Sequence, residues 1–225
     1  MLPVFHFRRG TIPIDYDPGV TELHGIYAIL DGGLCADLDA LLRDVLAGGV
    51  RLVQYRCKTG VDGAQVARLH EVALMAGATL VVNDDAAGAL LAGGLHLGQE
   101  DLALHDMRAL RARLGPHLLG ISCATAHEAA AAERIGADYI GVGPYKATAT
   151  KGDAGAPIGA AGIMEVARAT RLPVAAIGGI GLDDLADVYA AGARMAAVAS
   201  AIARAPSPRT AARAMVDCWR SLRDA

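Results

Sequence analysis

Aromatic side chains are scarce in this chain: phenylalanine, tryptophan and tyrosine make up 4% of its 225 residues, with a single tryptophan. A core without many large rings has to be assembled from the alanine and aliphatic residues that raise the hydrophobic fraction to 53%, packed closely. Together with 27 glycines, that composition favours helices laid on a parallel sheet. Cysteine is sparse too. Cys35, Cys57, Cys123 and Cys218 form no close-spaced pair, which argues against a zinc site or a disulfide framework and fits a reducing cytoplasm. There is no excess of one charge: the net charge is −3 and the basic residues are spread along the chain, so no electrostatic footprint for nucleic acid or an anionic membrane surface is expected. No stretch stays apolar for about 18 residues without interruption by glycine or charge. The opening Met1-Leu2-Pro3-Val4-Phe5-His6-Phe7-Arg8-Arg9 lacks the continuous apolar core and the cleavage site of a secretory signal. A soluble protein is expected.

Four segments share a phrase in which a small-residue turn leads into an apolar run: Ala47 to Gln54, Ala92 to Gln99, Ile135 to Val142 and Ala190 to Val198. In each, glycine closes a helix and the run has the length of a buried parallel strand. Four further runs of the same type are Gly25 to Leu30, Thr79 to Val82, His117 to Ile121 and Pro173 to Ile177. Between them, Ala64 to Met75 and Thr125 to Ile135 show the apolar spacing of amphipathic helices. Strand alternating with helix eight times predicts a closed (β/α)8 barrel of the TIM type. The competing open doubly wound sheet would not need eight regular units. The expected organisation is an irregular arm over residues 1–24 and one barrel domain over 25–225, ending in a helix from about Pro208 to Leu222.

In a parallel barrel the reactive groups belong at the C-terminal ends of the strands. After the second strand come Gln54, Arg56 and Lys58, which alternate spacing puts on one face of an extended chain. Asn83 and Asp84 follow the third strand, and Gln99, Glu100 and Asp101 the fourth. Asp84 and Asp101 would stand on adjacent strand ends, where two carboxylates with phosphate oxygens and water suit a magnesium ion. The plain alternative for each is a helix N-cap. The fifth strand ends in Ser122 and Cys123, the seventh in Gly178-Gly179-Ile180 and the eighth in Ala199-Ser200. Glycine after strand seven lets backbone N–H groups approach a phosphate, whereas Ser200 could equally cap the next helix. The sixth strand opens into Gly143-Pro144-Tyr145-Lys146-Ala147-Thr148-Ala149-Thr150-Lys151-Gly152. Its two threonine hydroxyls, its Lys151 ammonium and its glycine-flanked amides read as an anion cradle. The seven histidines form no pair at metal-ligand spacing. His96, inside a strand pattern, reads as a satisfied wall position, and no Ser/His/Asp triad is indicated.

The ordered set Gln54-x-Arg56-x-Lys58, Asn83-Asp84, Gly98-Gln99-Glu100-Asp101, Gly143-Pro144 with Thr148-x-Thr150-Lys151, Ile177-Gly178-Gly179-Ile180 and Ala199-Ser200-Ala201-Ile202 resembles the thiamine phosphate synthase family, from about Tyr27 to Ile202. The resemblance implies condensation of a hydroxymethylpyrimidine diphosphate with a hydroxyethylthiazole phosphate, giving thiamine phosphate and pyrophosphate by a dissociative route. It implies that Gln54, Arg56, Lys58, Asn83, Ser122 and Lys151 hold the pyrimidine diphosphate and that Asp84 and Asp101 bind Mg2+. It assigns Thr148, Thr150, Gly179, Ala199 and Ser200 to the thiazole phosphate. Charge on the departing pyrophosphate would be stabilised chiefly by Arg56, Lys58, Lys151 and the metal, with the loop 144–154 as a lid.

Three positions depart from the pattern of that family: Cys57 stands for an acidic residue, Ala124 for a histidine and Lys146 for an apolar side chain. The related thiazole tautomerase binds a thiazole phosphate without pyrophosphate chemistry and would not need Asp84 and Asp101. A non-catalytic thiamine-precursor binding protein on the same barrel is the rival from another class. A homo-oligomer is left open by the sequence.

Overall fold

The computed structural model describes residues 23–148 and 155–225. Eight strands, β1 (Gly25–Asp31), β2 (Leu52–Arg56), β3 (Thr79–Asn83), β4 (Gly94–Leu97), β5 (Leu118–Cys123), β6 (Tyr139–Val142), β7 (Val174–Ile177) and β8 (Met195–Val198), alternate with helices. Each strand pairs in parallel with the next, and β1 pairs with β8 to close the barrel. The expected (β/α)8 fold is therefore the observed one. The helices expected over Ala64 to Met75, Thr125 to Ile135 and Pro208 to Leu222 are Gly63–Met75, Ala126–Ile135 and Pro208–Asp224.

Local chemistry sets these boundaries. The carboxylate of Asp62 accepts the Ala64 amide at the start of Gly63–Met75, and Thr125 with Glu128 forms a capping box at the start of Ala126–Ile135. Glycine at 136, with φ 85, ends that helix in the left-handed conformation, where a Cβ would be strained.

The strands sort their side chains by parity. In β1, Ile26, Ala28 and Leu30 point outward into a shell of helix residues such as Leu42, Val45 and Trp219, while Tyr27 and Ile29 point into the barrel with Leu52, Val81, Tyr139, Ala175, Met195 and Ala197. Few aromatics are needed because the outer shell is filled by aliphatic residues and alanine, and two of the six tyrosines go to the barrel interior. Gly120 makes room for them. A Cβ there would overlap the Tyr139 ring and lie 2.5 Å from His96 Nδ1.

Candidate active site

The inward parity continues past the strand ends and carries the chemistry. Asp31, Gln54, Arg56, Asn83, His96, Ser122, Ile177 and Ala199 all follow the inward register of their strands and line one cavity of about 450 Å³. Lys58, Asp84, Asp101, Thr148, Gly179 and Ser200 line it as well. Every site residue expected from sequence within the described segments is thus brought to one cavity. Thr150 and Lys151 lie outside the described residues, as does most of the arm expected over 1–24.

The β1–β2 register sets Asp31 opposite Arg56, and Arg56 Nη1 donates to Asp31 Oδ2 at 2.7 Å. Asp31 Oδ1 accepts the Gly33 amide at 2.7 Å. The carboxylate is almost fully buried, at 4% exposure, and the guanidinium retains 17%. Arg56 is therefore held before any ligand arrives, and a planar fork fixed this way suits phosphate recognition. Asp31 was not singled out in the sequence. Its position at i+2 and i+4 from Ile29 and Tyr27 is the signal that would have found it.

The two carboxylates expected to hold a metal differ in their local bonding. Beside Asp84, Asp85 is the residue that caps the helix Ala86–Ala89, its side chain accepting from the Gly88 amide. Asp84 itself lies at φ 60, and among the described residues it is the one non-glycine with a left-handed backbone. Such a conformation costs a non-glycine residue stability and recurs at functional positions. The Asn83 side-chain amide donates to Asp84 Oδ2. Gly98, not Asp101, is the N-cap of the helix Gln99–Leu102, and Asp101 Oδ2 reaches back from the first turn to accept the Gly98 amide at 2.9 Å. No group of three or more His, Cys, Asp or Glu side chains is placed to hold a metal among the described residues. Two hard oxygen donors beside cations that would meet phosphate are a partial set, and they fit a magnesium ion that keeps water and substrate oxygens.

Across the mouth, the segment after β6 is stitched to the turn after β7. The Tyr145 amide donates to Ile177 O at 2.8 Å and the Lys146 amide to Gly178 O at 2.9 Å. A Cβ at Gly178 would stand 2.5 Å from Pro144 Cβ, so this close approach needs glycine. Further along, Ile158 N donates to Pro144 O at 2.9 Å and Gly159 N to Tyr145 O at 3.2 Å, which draws the two ends of the intervening loop into a neck. Lys146 has a place here. Its ammonium pairs with Asp184 Oδ1, and the bond raises the Lys146 pKa. Asp184 is pushed up by burial but held below its ordinary value by Lys146 and the Gly181 amide. Ser200 opens the helix Ser200–Ala203, whose N-cap is Ala199, so its side chain is not the cap that the sequence allowed. Cys57 Sγ lies 3.3 Å from Thr59 Oγ1, and hydrogen bonding to Thr59 lowers the thiol pKa.

Below the mouth runs a chain of hydrogen bonds that the sequence reading missed. Gln54 Nε2 lies 2.9 Å from Tyr27 Oη, Tyr27 Oη 2.8 Å from Tyr139 Oη, Tyr139 Oη 3.1 Å from His96 Nδ1 and His96 Nε2 3.1 Å from Ser122 Oγ. Burial raises the pKa of both tyrosines well above the ordinary range, so both hydroxyls stay protonated. The rings of Tyr27 and Tyr139 meet edge to face, with centroids 5.8 Å apart. His96 is indeed a buried wall residue, and it is also a polar link between the strands. The cavity as a whole offers cations for phosphate, carboxylates for a metal and a polar floor for a heterocycle.

Comparison with known proteins follows the same residues. A sequence model of the family described as thiamine monophosphate synthase matches residues 26–202. A thiamine-phosphate synthase of Anaeromyxobacter dehalogenans is 46% identical over 199 residues, 86% of this chain and 87% of that protein. A thiamine biosynthesis bifunctional protein ThiM/ThiE of Symbiobacterium thermophilum is 45% identical over 216 residues, and there the chain spans 44% of the relative's length. Among solved structures, the thiamine phosphate pyrophosphorylase from Pyrococcus furiosus superposes with a TM-score of 0.79 at 28% identity, covering 89% of this chain and 97% of that one.

Proposed function

The chain belongs to the thiamine monophosphate synthase family, and from that premise we propose that its cavity joins hydroxymethylpyrimidine diphosphate to hydroxyethylthiazole phosphate, giving thiamine phosphate and pyrophosphate. The observation that carries the assignment to this cavity is the convergence there of Gln54, Arg56, Lys58, Asn83, Asp84, Asp101, Ser122, Thr148, Gly179, Ala199 and Ser200, residues that come from six strand ends and the loop after β6. Arg56, preset by Asp31, and Lys58 bind the diphosphate and meet the negative charge that grows as pyrophosphate leaves, which stabilises the transition state more than the ground state. The family resemblance assigns the same role to Lys151, which lies outside the described residues.

Asp84 and Asp101 would hold a magnesium ion, which would supply positive charge against the leaving pyrophosphate. Gln54 and Ser122 orient the pyrimidine ring. The thiazole phosphate meets Thr148, Gly179 and Ser200 at the stitched side of the mouth; the family resemblance adds Thr150, which lies outside the described residues. Holding the two rings face to face makes attack of the thiazole nitrogen effectively unimolecular and keeps water from the electron-poor pyrimidine carbon. The departures at Cys57 and Ala124 leave these contacts intact. Cys57 bonds to Thr59, and Ala124 contributes its amide to Glu128.

The test is to incubate the purified protein with both substrates and magnesium and to follow thiamine phosphate and pyrophosphate together. Equal amounts of the two products are expected. Binding of both precursors without product would replace the synthase with a precursor-binding protein.

A further inference from the structure

The chain Gln54–Tyr27–Tyr139–His96–Ser122 crosses the barrel interior from β2 through β1, β6 and β4 to β5, and both of its ends line the cavity. Each interior link constrains the next. A protonated phenol has one hydrogen to give, and each tyrosine oxygen has two partners in the chain, so it donates to one and accepts from the other. A neutral imidazole donates through one nitrogen and accepts through the other. The protons must all run the same way.

In one direction Gln54 Nε2 donates to Tyr27, Tyr27 to Tyr139, Tyr139 to His96 Nδ1, and His96 Nε2–H to Ser122 Oγ. That leaves the Gln54 carbonyl oxygen as an acceptor and the Ser122 hydroxyl as a donor for a ligand. In the other direction the Gln54 amide is turned over, His96 carries its hydrogen on Nδ1, and Ser122 donates inward. Gln54 then offers an N–H and Ser122 offers a lone pair. A mixed order would put two hydrogens, or none, between one buried pair, at a cost of about 1–3 kcal/mol for the bond left unmade.

We propose that Tyr139 and His96 are positioning residues that couple Gln54 to Ser122, so that the two ends of the chain always present opposite hydrogen-bond signs to the pyrimidine ring. The proposal rests on the reading that the pyrimidine lies between those two side chains. An aminopyrimidine edge carries a donating exocyclic amine beside an accepting ring nitrogen, and a pair of opposite signs is what such an edge requires. Recognition of one of these atoms fixes the group that meets the other, and the ring is held in one orientation before pyrophosphate departs. Neither Tyr139 nor His96 need touch the reacting atoms.

Tyr139→Phe keeps the ring against Tyr27 and deletes the central hydroxyl. The KM for the pyrimidine diphosphate is expected to rise about tenfold, with kcat and the KM for the thiazole phosphate changed by less than about twofold. An equal rise in both KM values, or no change in either, would overturn the coupling. A second measurement needs no variant: nitrogen NMR of the imidazoles in the wild-type protein with the pyrimidine diphosphate bound. His96 is expected as a single neutral tautomer, and a doubly protonated ring or a mixture of tautomers would overturn the proposal. The two readings also fail separately. A locked His96 in a protein that makes no thiamine phosphate sinks the synthase and leaves the coupling standing. An active synthase with a tautomer mixture does the reverse.

Discussion

Replacing Asp31 by asparagine tests whether Arg56 is held by charge or merely by packing. The Arg56–Asp31 contact is 2.7 Å long, and the carboxylate and guanidinium are 4% and 17% exposed. A hydrogen bond to a charged group is worth about 1.5–3 kcal/mol, and breaking a fully buried pair costs about 3–5 kcal/mol. Because Arg56 keeps some contact with the open cavity, the lower figure applies and Asp31→Asn should cost about 2 kcal/mol. For a chain of this size that corresponds to a melting temperature lower by about 4–8 °C. The discriminating step is the same substitution in an Arg56→Met background. There Asp31 is a buried carboxylate without its cation, and converting it to asparagine should cost nothing or stabilise. Urea unfolding of wild type, both single variants and the double variant, all at pH 7.5, closes the cycle. An equal loss in both backgrounds would refute the claim that the carboxylate's work is to hold the guanidinium.

Three further outcomes are expected. Asp84→Asn, and separately Lys151→Ala, should lower turnover on the order of a hundredfold, and Asp84→Asn should also raise the magnesium concentration needed for half-maximal rate; turnover unchanged in both variants would sink the charge-stabilisation mechanism. Gly120→Ala puts a methyl group into the Tyr139 ring and the His96 imidazole, so it should cost about 1–3 kcal/mol in thermal or urea melts, and an unchanged midpoint would mean that the interior is looser than it is drawn. Burial lowers the pKa of His70 and of His117, with His117 adding to the shift of His70 and Arg111 to that of His117, and the Nδ1 atoms of both are buried with no hydrogen-bond partner among the described residues. The unfolded chain therefore takes up protons first, so stability is full above the unfolded value of about 6.5 and is lost as pH falls through it toward the folded values. The urea midpoint should drop between pH 7.5 and 5.5 more steeply in wild type than in a His70→Gln, His117→Gln variant, and parallel slopes would remove these histidines from the acid response.

The fold was legible because β1 through β8 announce themselves by composition: short runs of Val, Ile, Leu and Ala, entered through glycine everywhere but at β7, which follows Pro173. The cavity residues past the strand ends were legible for a related reason, since Arg, Lys, Asn and Asp directly after an apolar run have few structural duties beyond capping. Tyr27 and Tyr139 were not, because they lie inside strands whose sequences read as buried and their hydroxyls meet only across the closed barrel. Asp31, directly after the run from Gly25 to Leu30, was passed over, and its partner shows only in the interstrand register with Arg56. His96 was placed correctly as a wall residue, yet its bonds to Tyr139 and Ser122 join positions 43 and 26 residues apart, a relation that no local pattern encodes. Lys146 and Asp184, 38 residues apart, escaped for the same reason.

The neck formed by Pro144 and Tyr145 with Ile158 and Gly159 has a bearing on how this chain tolerates insertion and deletion. Two backbone hydrogen bonds join the ends of the excursion, and the entropic cost of closing it grows only with the logarithm of its length. Doubling that length costs roughly 0.6 kcal/mol. Residues can be added or removed between 147 and 157 with little effect on the scaffold, whereas a single deletion between 142 and 146 would shift the register of the amides that bond to Ile177 and Gly178. Chain length is thus free on one side of Lys146 and fixed on the other.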